Sequence, residues 1–177
     1  MSTTGITTVI KVGGALLDTR ETFAWAVEAL SHAPRDGTTL IVPGGGPFAD
    51  AVRDVDRRIG LSADAAHWAA VLAMDQYAHV LADRVAFATV VDDLDTPTPG
   101  RLPIFAPYAW LRSHDALPHS WDVTADSIAA WIARALGARR LLLLKLDTST
   151  DAYFETAVPI GCGLETQIVL AGASIQW

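Results

Sequence analysis

The sequence predicts an α/β fold, a mostly parallel sheet with helices on both faces, and three observations point there. Short β-branched or leucine-rich runs alternate with helical stretches of about 10–20 residues. The runs are apolar throughout, as strands covered on both faces require. Two of them pass straight into glycine clusters that precede a helix. With 177 residues, 51% of them apolar, the chain can bury one substantial core, and residues 1–177 are read as a single domain.

Residues 6–12, Ile-Thr-Thr-Val-Ile-Lys-Val, form the first expected strand, which ends at Gly13-Gly14 with Lys11 near its carboxyl end. Asp18 to Glu21 has the spacing of a capping box, and Phe23, Val27 and Leu30 recur at helical intervals until Pro34 and Gly37 stop the helix. Thr38 to Pro43 is a second short strand, closed by Gly44-Gly45-Gly46, and Pro47 suits the first turn of the next helix. Ser62 is the expected cap of a long helix over 63–83, rich in Ala and carrying Trp68, Leu72 and Val80 among its apolar positions. Ala86 to Val91 reads as a third strand, 92–100 as an exposed acidic loop and Leu102 to Ala106 as a fourth strand. An irregular stretch containing Pro107 and Pro118 follows. Thr124 or Asp122 then caps a helix that runs to Leu136, with Gly137 just past its end. Arg139 to Leu146 is the most apolar strand and carries Lys145 after four leucines. A short helix around Tyr153 and Phe154 and a strand over 167–170 complete the reading.

Charge and composition narrow the function. A net charge of −7, with no polybasic patch, supplies no field for nucleic acid or an anionic membrane, so an anionic ligand must be held by local groups. No run approaches the roughly 20 apolar residues that a membrane-spanning helix needs, and no leader-like segment opens the chain. The single Cys162 cannot form an internal disulfide. A soluble, cytoplasmic protein acting on a small molecule is therefore expected, with no nucleic-acid and no membrane partner. Six tryptophans leave open a homo-oligomer or partner-subunit interface beside an ordinary core.

In open parallel sheets ligands bind beyond the carboxyl ends of the strands. Of 13 basic residues 11 are Arg, and the two lysines, Lys11 and Lys145, both fall on that edge. The glycine clusters read either as plain turns or as cradles whose N–H groups face an oxyanion at a helix start. An ammonium after four leucines calls for a negative partner, for which a phosphate would serve, unless the stem lies on the sheet and the head reaches water. Asp122 and Asp126 are four apart and would share a face of a helix that began at Asp122, although Asp122 reads equally as a cap. Asp126 is the better candidate to fix two lysines or a phosphate-bound magnesium. Arg53, Arg57 and Arg58 follow the glycine triplet on a helix, where one could reach a substrate anion and a solvated face is the alternative. His114, Asp115 and His119 match no common ligand spacing, so they are read as loop residues and no metal site is expected. Cys162 has no histidine near it in sequence and is read as buried or idle.

Taken in order, Lys11-Val-Gly-Gly14, Val42-Pro-Gly-Gly-Gly46, Asp122-Val-Thr-Ala-Asp-Ser-Ile-Ala-Ala130 and Lys145-Leu-Asp147 resemble the amino acid kinase family. The segment from Trp121 to Ala130 looks like the branch that contains the aminomethylfuran-methyl-phosphate kinase of methanofuran biosynthesis. The resemblance implies the family's three-layer sandwich and an ATP- and Mg2+-dependent phosphotransferase for a small phosphorylated or carboxylated metabolite. It implies that Lys11, Asp126 and Lys145 are catalytic, with Asp126 organising the lysines. It places Gly13, Gly14, Lys145 and Asp147 on the nucleotide and Gly44, Gly45 and Gly46 on the acceptor, where Arg53 is the arginine taken from the residue reading to meet the substrate anion. Only 32 residues follow Lys145, and Thr148 stands where the family commonly has a glycine, so a truncated C-terminal nucleotide part is expected. The alternative is a non-catalytic relative that serves as a ligand-binding or assembly subunit.

Overall fold

The structure, a computed structural model, describes residues 5–95, 98–159 and 161–177. The apolar runs form six strands: β1 Thr8–Val12, β2 Thr39–Pro43, β3 Ala88–Val91, β4 Leu102–Phe105, β5 Arg140–Lys145 and β6 Glu165–Leu170. They make one sheet in the order β3-β4-β2-β1-β5-β6, and every neighbouring pair is parallel. The helices are α1 Arg20–Ser31, α2 Gly46–Ile59, α3 Ala63–Arg84, α4 Tyr108–His114, α5 Ala125–Ala135 and α6 Phe154–Ala157, with a 3-10 turn at Gly14–Leu17.

Alternation along the strands sorts the core into two layers. Val9, Leu40, Val42, Leu141 and Leu143 pack with the apolar residues of α5 on one side. Ile10, Val12, Ile41, Leu142 and Leu144 pack with Ala26 and Leu30 of α1 on the other. Helix α3 serves both, giving Val71 and Met74 to the first layer and Tyr77, Ala78 and Leu81 to the second. The same alternation puts Lys11 and Lys145 on the α5 side. Lys11 is in register with Leu143, so Lys145 lies two residues further toward the carboxyl edge of the adjacent strand.

Several local expectations shift. The cap of α1 is Thr19, whose side chain accepts from the Thr22 amide, and not Asp18. The stretch after Pro107 is not irregular: Pro107 is the residue before α4, and its carbonyl accepts from the Leu111 amide. Thr124 caps α5, so Asp122 lies outside the helix, shares no helical face with Asp126 and pairs with the Ser120 hydroxyl. Leu72 is 42% exposed and contributes little to the core. Cys162 is exposed, which excludes burial, one of its two readings. Five of the six tryptophans are half-buried within the chain, and Trp177 is exposed. Thr96 and Pro97 of the acidic loop lie outside the described residues. Among the described residues no helix is long and apolar enough to cross a membrane.

Candidate active site

At the carboxyl edge of β1 and β5 two ammonium groups meet one carboxylate. Lys11 Nζ lies 2.6 Å from Asp126 Oδ1, and Lys145 Nζ lies 2.5 Å from Asp126 Oδ2. Lys11 and Asp126 are 5% and 3% exposed, so this is a buried charge cluster in which each lysine has its own carboxylate oxygen. Burial holds the Lys11 ammonium below its ordinary value despite the opposing charge of Asp126. Burial alone would raise Asp126, but the charge and hydrogen bond of Lys11, joined by Lys145, hold its carboxyl below the usual range. Lys145 therefore has the negative partner its apolar setting demands, and that partner is Asp126. Its Nζ also donates to the Ser149 carbonyl, and the Asp147 carboxylate accepts from the Ser149 amide and hydroxyl.

The start of α5 is held by a residue that the sequence did not single out. Asp151 Oδ2 accepts from the Thr124 amide and hydroxyl at 3.1 and 2.6 Å and from the Ser127 amide at 3.3 Å. Its Oδ1 accepts from the Ser127 hydroxyl at 2.5 Å. The positive end of α5 is thus met by the chain's own carboxylate, which fixes the turn that carries Asp126.

The two glycine loops pack backbone against backbone. A Cβ on Gly14 would fall on the Gly46 amide nitrogen and within 2.5 Å of its Cα, and Gly46 itself has φ +53°. The Gly13 amide donates to the Leu144 carbonyl and the Gly44 amide to the Val12 carbonyl, both at 2.8 Å. Gly13 and Gly44 therefore commit these amides to neighbouring strands and shape the turns. Gly14 opens the 3-10 turn, Gly45 precedes α2 and Gly46 opens it, and at helix starts the N–H groups lack intrahelical partners.

Gly14, Gly44, Gly45 and Gly46 border a cavity of about 680 Å3 that Lys11 also reaches, while Lys145, Gly13 and Asp147 lie outside it. Arg53 lines the cavity with its guanidinium 4.8 Å over the Trp121 ring, and the Trp121 indole N–H donates to Asp56 at 2.7 Å. That bond, with the Leu61 amide, holds the Asp56 carboxyl below its ordinary value. Arg53 is further tied to Asp50 at 2.9 Å. His67 and His119, which the sequence did not connect, stack on the same wall with ring centres 3.9 Å apart.

A six-stranded parallel sheet of this order, with glycine loops and a Lys–Asp–Lys cluster at its carboxyl edge, defines an α/β protein with its charged groups gathered where the strands end. The family is more specific: residues 7–148 match the amino acid kinase family, and the chain belongs to it. It is 29% identical over 152 residues to the [5-(aminomethyl)furan-3-yl]methyl phosphate kinase of Methanocaldococcus jannaschii, covering 83% of this chain and 68% of that one. The fold is similar to that of uridylate kinase from Archaeoglobus fulgidus, with a TM-score of 0.62, 17% identity and coverage of 93% and 91% of the two chains. It is also similar to that of UMP kinase from Ureaplasma parvum, with a TM-score of 0.61, 13% identity and coverage of 93% and 89%.

Proposed function

We propose that the chain is an ATP- and Mg2+-dependent kinase of a small phosphorylated or carboxylated metabolite, with a methanofuran-precursor monophosphate as the sharpest form of that reading. The observation that carries it is the convergence of both lysines on Asp126, beside glycine loops that border a cavity. Lys11 belongs to the cavity and Lys145 to the opposite side of the same carboxylate. A phosphoryl group passing from nucleotide to acceptor would cross this cluster. The acceptor oxygen forms its bond to the γ-phosphorus as the bond to the β,γ-bridging oxygen breaks, and ADP departs.

Such a transfer needs positioning and charge neutralisation more than covalent help. Lys11 neutralises the phosphoryl group in transit, Asp126 keeps both ammonium groups in place, and the Gly14 and Gly46 turns let phosphate approach the backbone. Arg53 meets the acceptor. The cavity also carries the carboxylates Asp18 and Asp122, a mixed lining that suits an acceptor with an amine as well as an anion. The donor set fits magnesium, which binds through one or two carboxylates and substrate phosphates: Asp147 is exposed at the nucleotide edge with Oδ1 turned to Ser149. Magnesium on the nucleotide would supply further neutralisation of the phosphates.

A second reading, a ligand-binding or assembly subunit without catalysis, has its own supporting observation. The Lys145 ammonium and the Gly13 amide, both expected on the nucleotide, already have partners within the chain. Phosphorus NMR of the chain with Mg-ATP and [5-(aminomethyl)furan-3-yl]methyl phosphate separates the two. New diphosphate resonances with matching ADP support the kinase. Unchanged spectra with this acceptor, and no ADP with a panel of other phosphorylated and carboxylated acceptors, would leave the non-catalytic reading.

A further inference from the structure

The wall of the cavity away from the lysines holds a donor cluster that phosphoryl transfer does not use. Asp115 ends α4, and its Oδ2 lies 3.2 Å from His67 Nε2 in α3 and 2.8 Å from His119 Nε2. The three donor atoms lie within 4.8 Å of one another. The side chains of His67 and Asp115 are 5% and 7% exposed. His67 Nε2 is buried without a well-aligned hydrogen bond among the described residues, a costly condition for a polar atom beside a carboxylate.

The surroundings are those of a ligand set. The imidazoles stack 9° from parallel with ring centres 3.9 Å apart, and Trp68 meets both edge-on; an imidazole lone pair lies in its ring plane, so both rings meet one ion once the half-buried His119 ring turns out of the stack. His119 turns its other nitrogen, Nδ1, to Asp64 Oδ1 at 2.6 Å, and Asp115 Oδ1 accepts from the Leu117 amide at 3.0 Å. A carboxylate behind a ligating imidazole and an amide behind a ligating carboxylate are the outer partners that orient metal ligands. Bonds of about 2.0–2.2 Å to one ion place neighbouring ligand atoms about 3–3.5 Å apart. The contacts to Asp115 Oδ2 already stand near that separation.

We propose that His67, Asp115 and His119 form a binding site for one divalent transition-metal cation of the zinc type, with its open coordination side facing the cavity. Two imidazoles and one carboxylate select a borderline cation such as Zn2+ over Mg2+, so this site is distinct from magnesium carried on nucleotide phosphates. Both histidines border the cavity, so a coordinated ion would face an anionic oxygen of a bound acceptor. Metal binding itself does not depend on the kinase reading.

The test uses the full chain, stripped with a chelator and titrated with Co2+ alone, without nucleotide. One equivalent should bind with a visible d–d absorption band, and Zn2+ should displace it. Asp64→Asn, at an exposed residue behind His119, should weaken Co2+ binding by about 10–100-fold. His119→Gln should remove the band while the metal-free melting temperature stays the same, and Asp115→Asn supplies a second ligand variant if His119→Gln does not fold. Absence of the band at saturating Co2+ would overturn the proposal in favour of a proton shared between the histidines and Asp115. A band that survives both ligand variants, or an affinity unchanged in Asp64→Asn, would overturn it as well.

Discussion

The two sides of the Lys–Asp–Lys cluster are built differently. On the cavity side the wall is continuous: the glycine loops interlock, α2 and α3 pack together, and Arg53 lies over a Trp121 ring that is itself bonded to Asp56. On the opposite side the exposed turn after β5 holds Asp147 and Ser149 in short-range bonds to each other. The contrast teaches that the carboxyl edge of this sheet is closely packed on the cavity side and open after β5, and that Asp126 joins the two halves.

The largest effect should come from breaking that joint. Asp126→Ala leaves two ammonium groups without their carboxylate and should destabilise the fold by about 3–5 kcal/mol, read from urea unfolding. The milder Asp126→Asn should act through pH. Because the folded carboxyl titrates below its ordinary 3.8, the unfolded chain binds more protons in that window, and stability rises with pH there. The Asp126 contribution is present above 3.8 and lost as pH falls through the folded value, so Asp126→Asn should flatten the acid limb of a melting-temperature profile. An unchanged limb would remove the cluster from the stability account.

Next is the cation shared with the cavity. Lys11→Ala should lower turnover by about 10²-fold or more while the circular dichroism spectrum stays native. An unaltered rate would exclude Lys11 from transfer. Gly14→Ala sharpens the claim that the cavity wall is closely packed, because the added methyl meets the Gly46 backbone. A loss of about 1–3 kcal/mol is expected, and a neutral result would mean that the loops separate easily. The smallest effect belongs to Arg53→Ala, at a half-exposed side chain: a raised KM for the acceptor of about 5-fold with kcat little changed, as loss of roughly 1 kcal/mol predicts. A fall in kcat with KM unchanged would place Arg53 at the transition state instead.

Local signals carried much of this architecture. The strands, the glycine loops, Pro47 and Ser62 declare themselves by composition and spacing, and Lys11, Asp126 and Lys145 converge as their positions implied. What escaped the sequence depends on distant partners. Asp151 braces the capping turn of α5 from 27 residues beyond Thr124, and no periodicity announces such a bond. His67 joins Asp115 and His119 only because α3 packs beside α4. Helix α4 was hidden because Pro107 reads as a breaker, although proline before a first turn gives up no bond that the helix uses. Asp122 and Asp18 were each attractive as caps, yet a neighbouring threonine fills the place, a choice settled by backbone geometry at Thr124 and Thr19.

The most direct test of the central claim, that Lys145 and Asp126 hold the nucleotide side of a phosphoryl-transfer site, is a calorimetric titration of the chain with Mg-ATP, repeated with Lys145→Ala. Saturable binding with one site per chain, lost or greatly weakened in Lys145→Ala, is the predicted result; absence of heat at millimolar nucleotide, or equal binding by the variant, would contradict it.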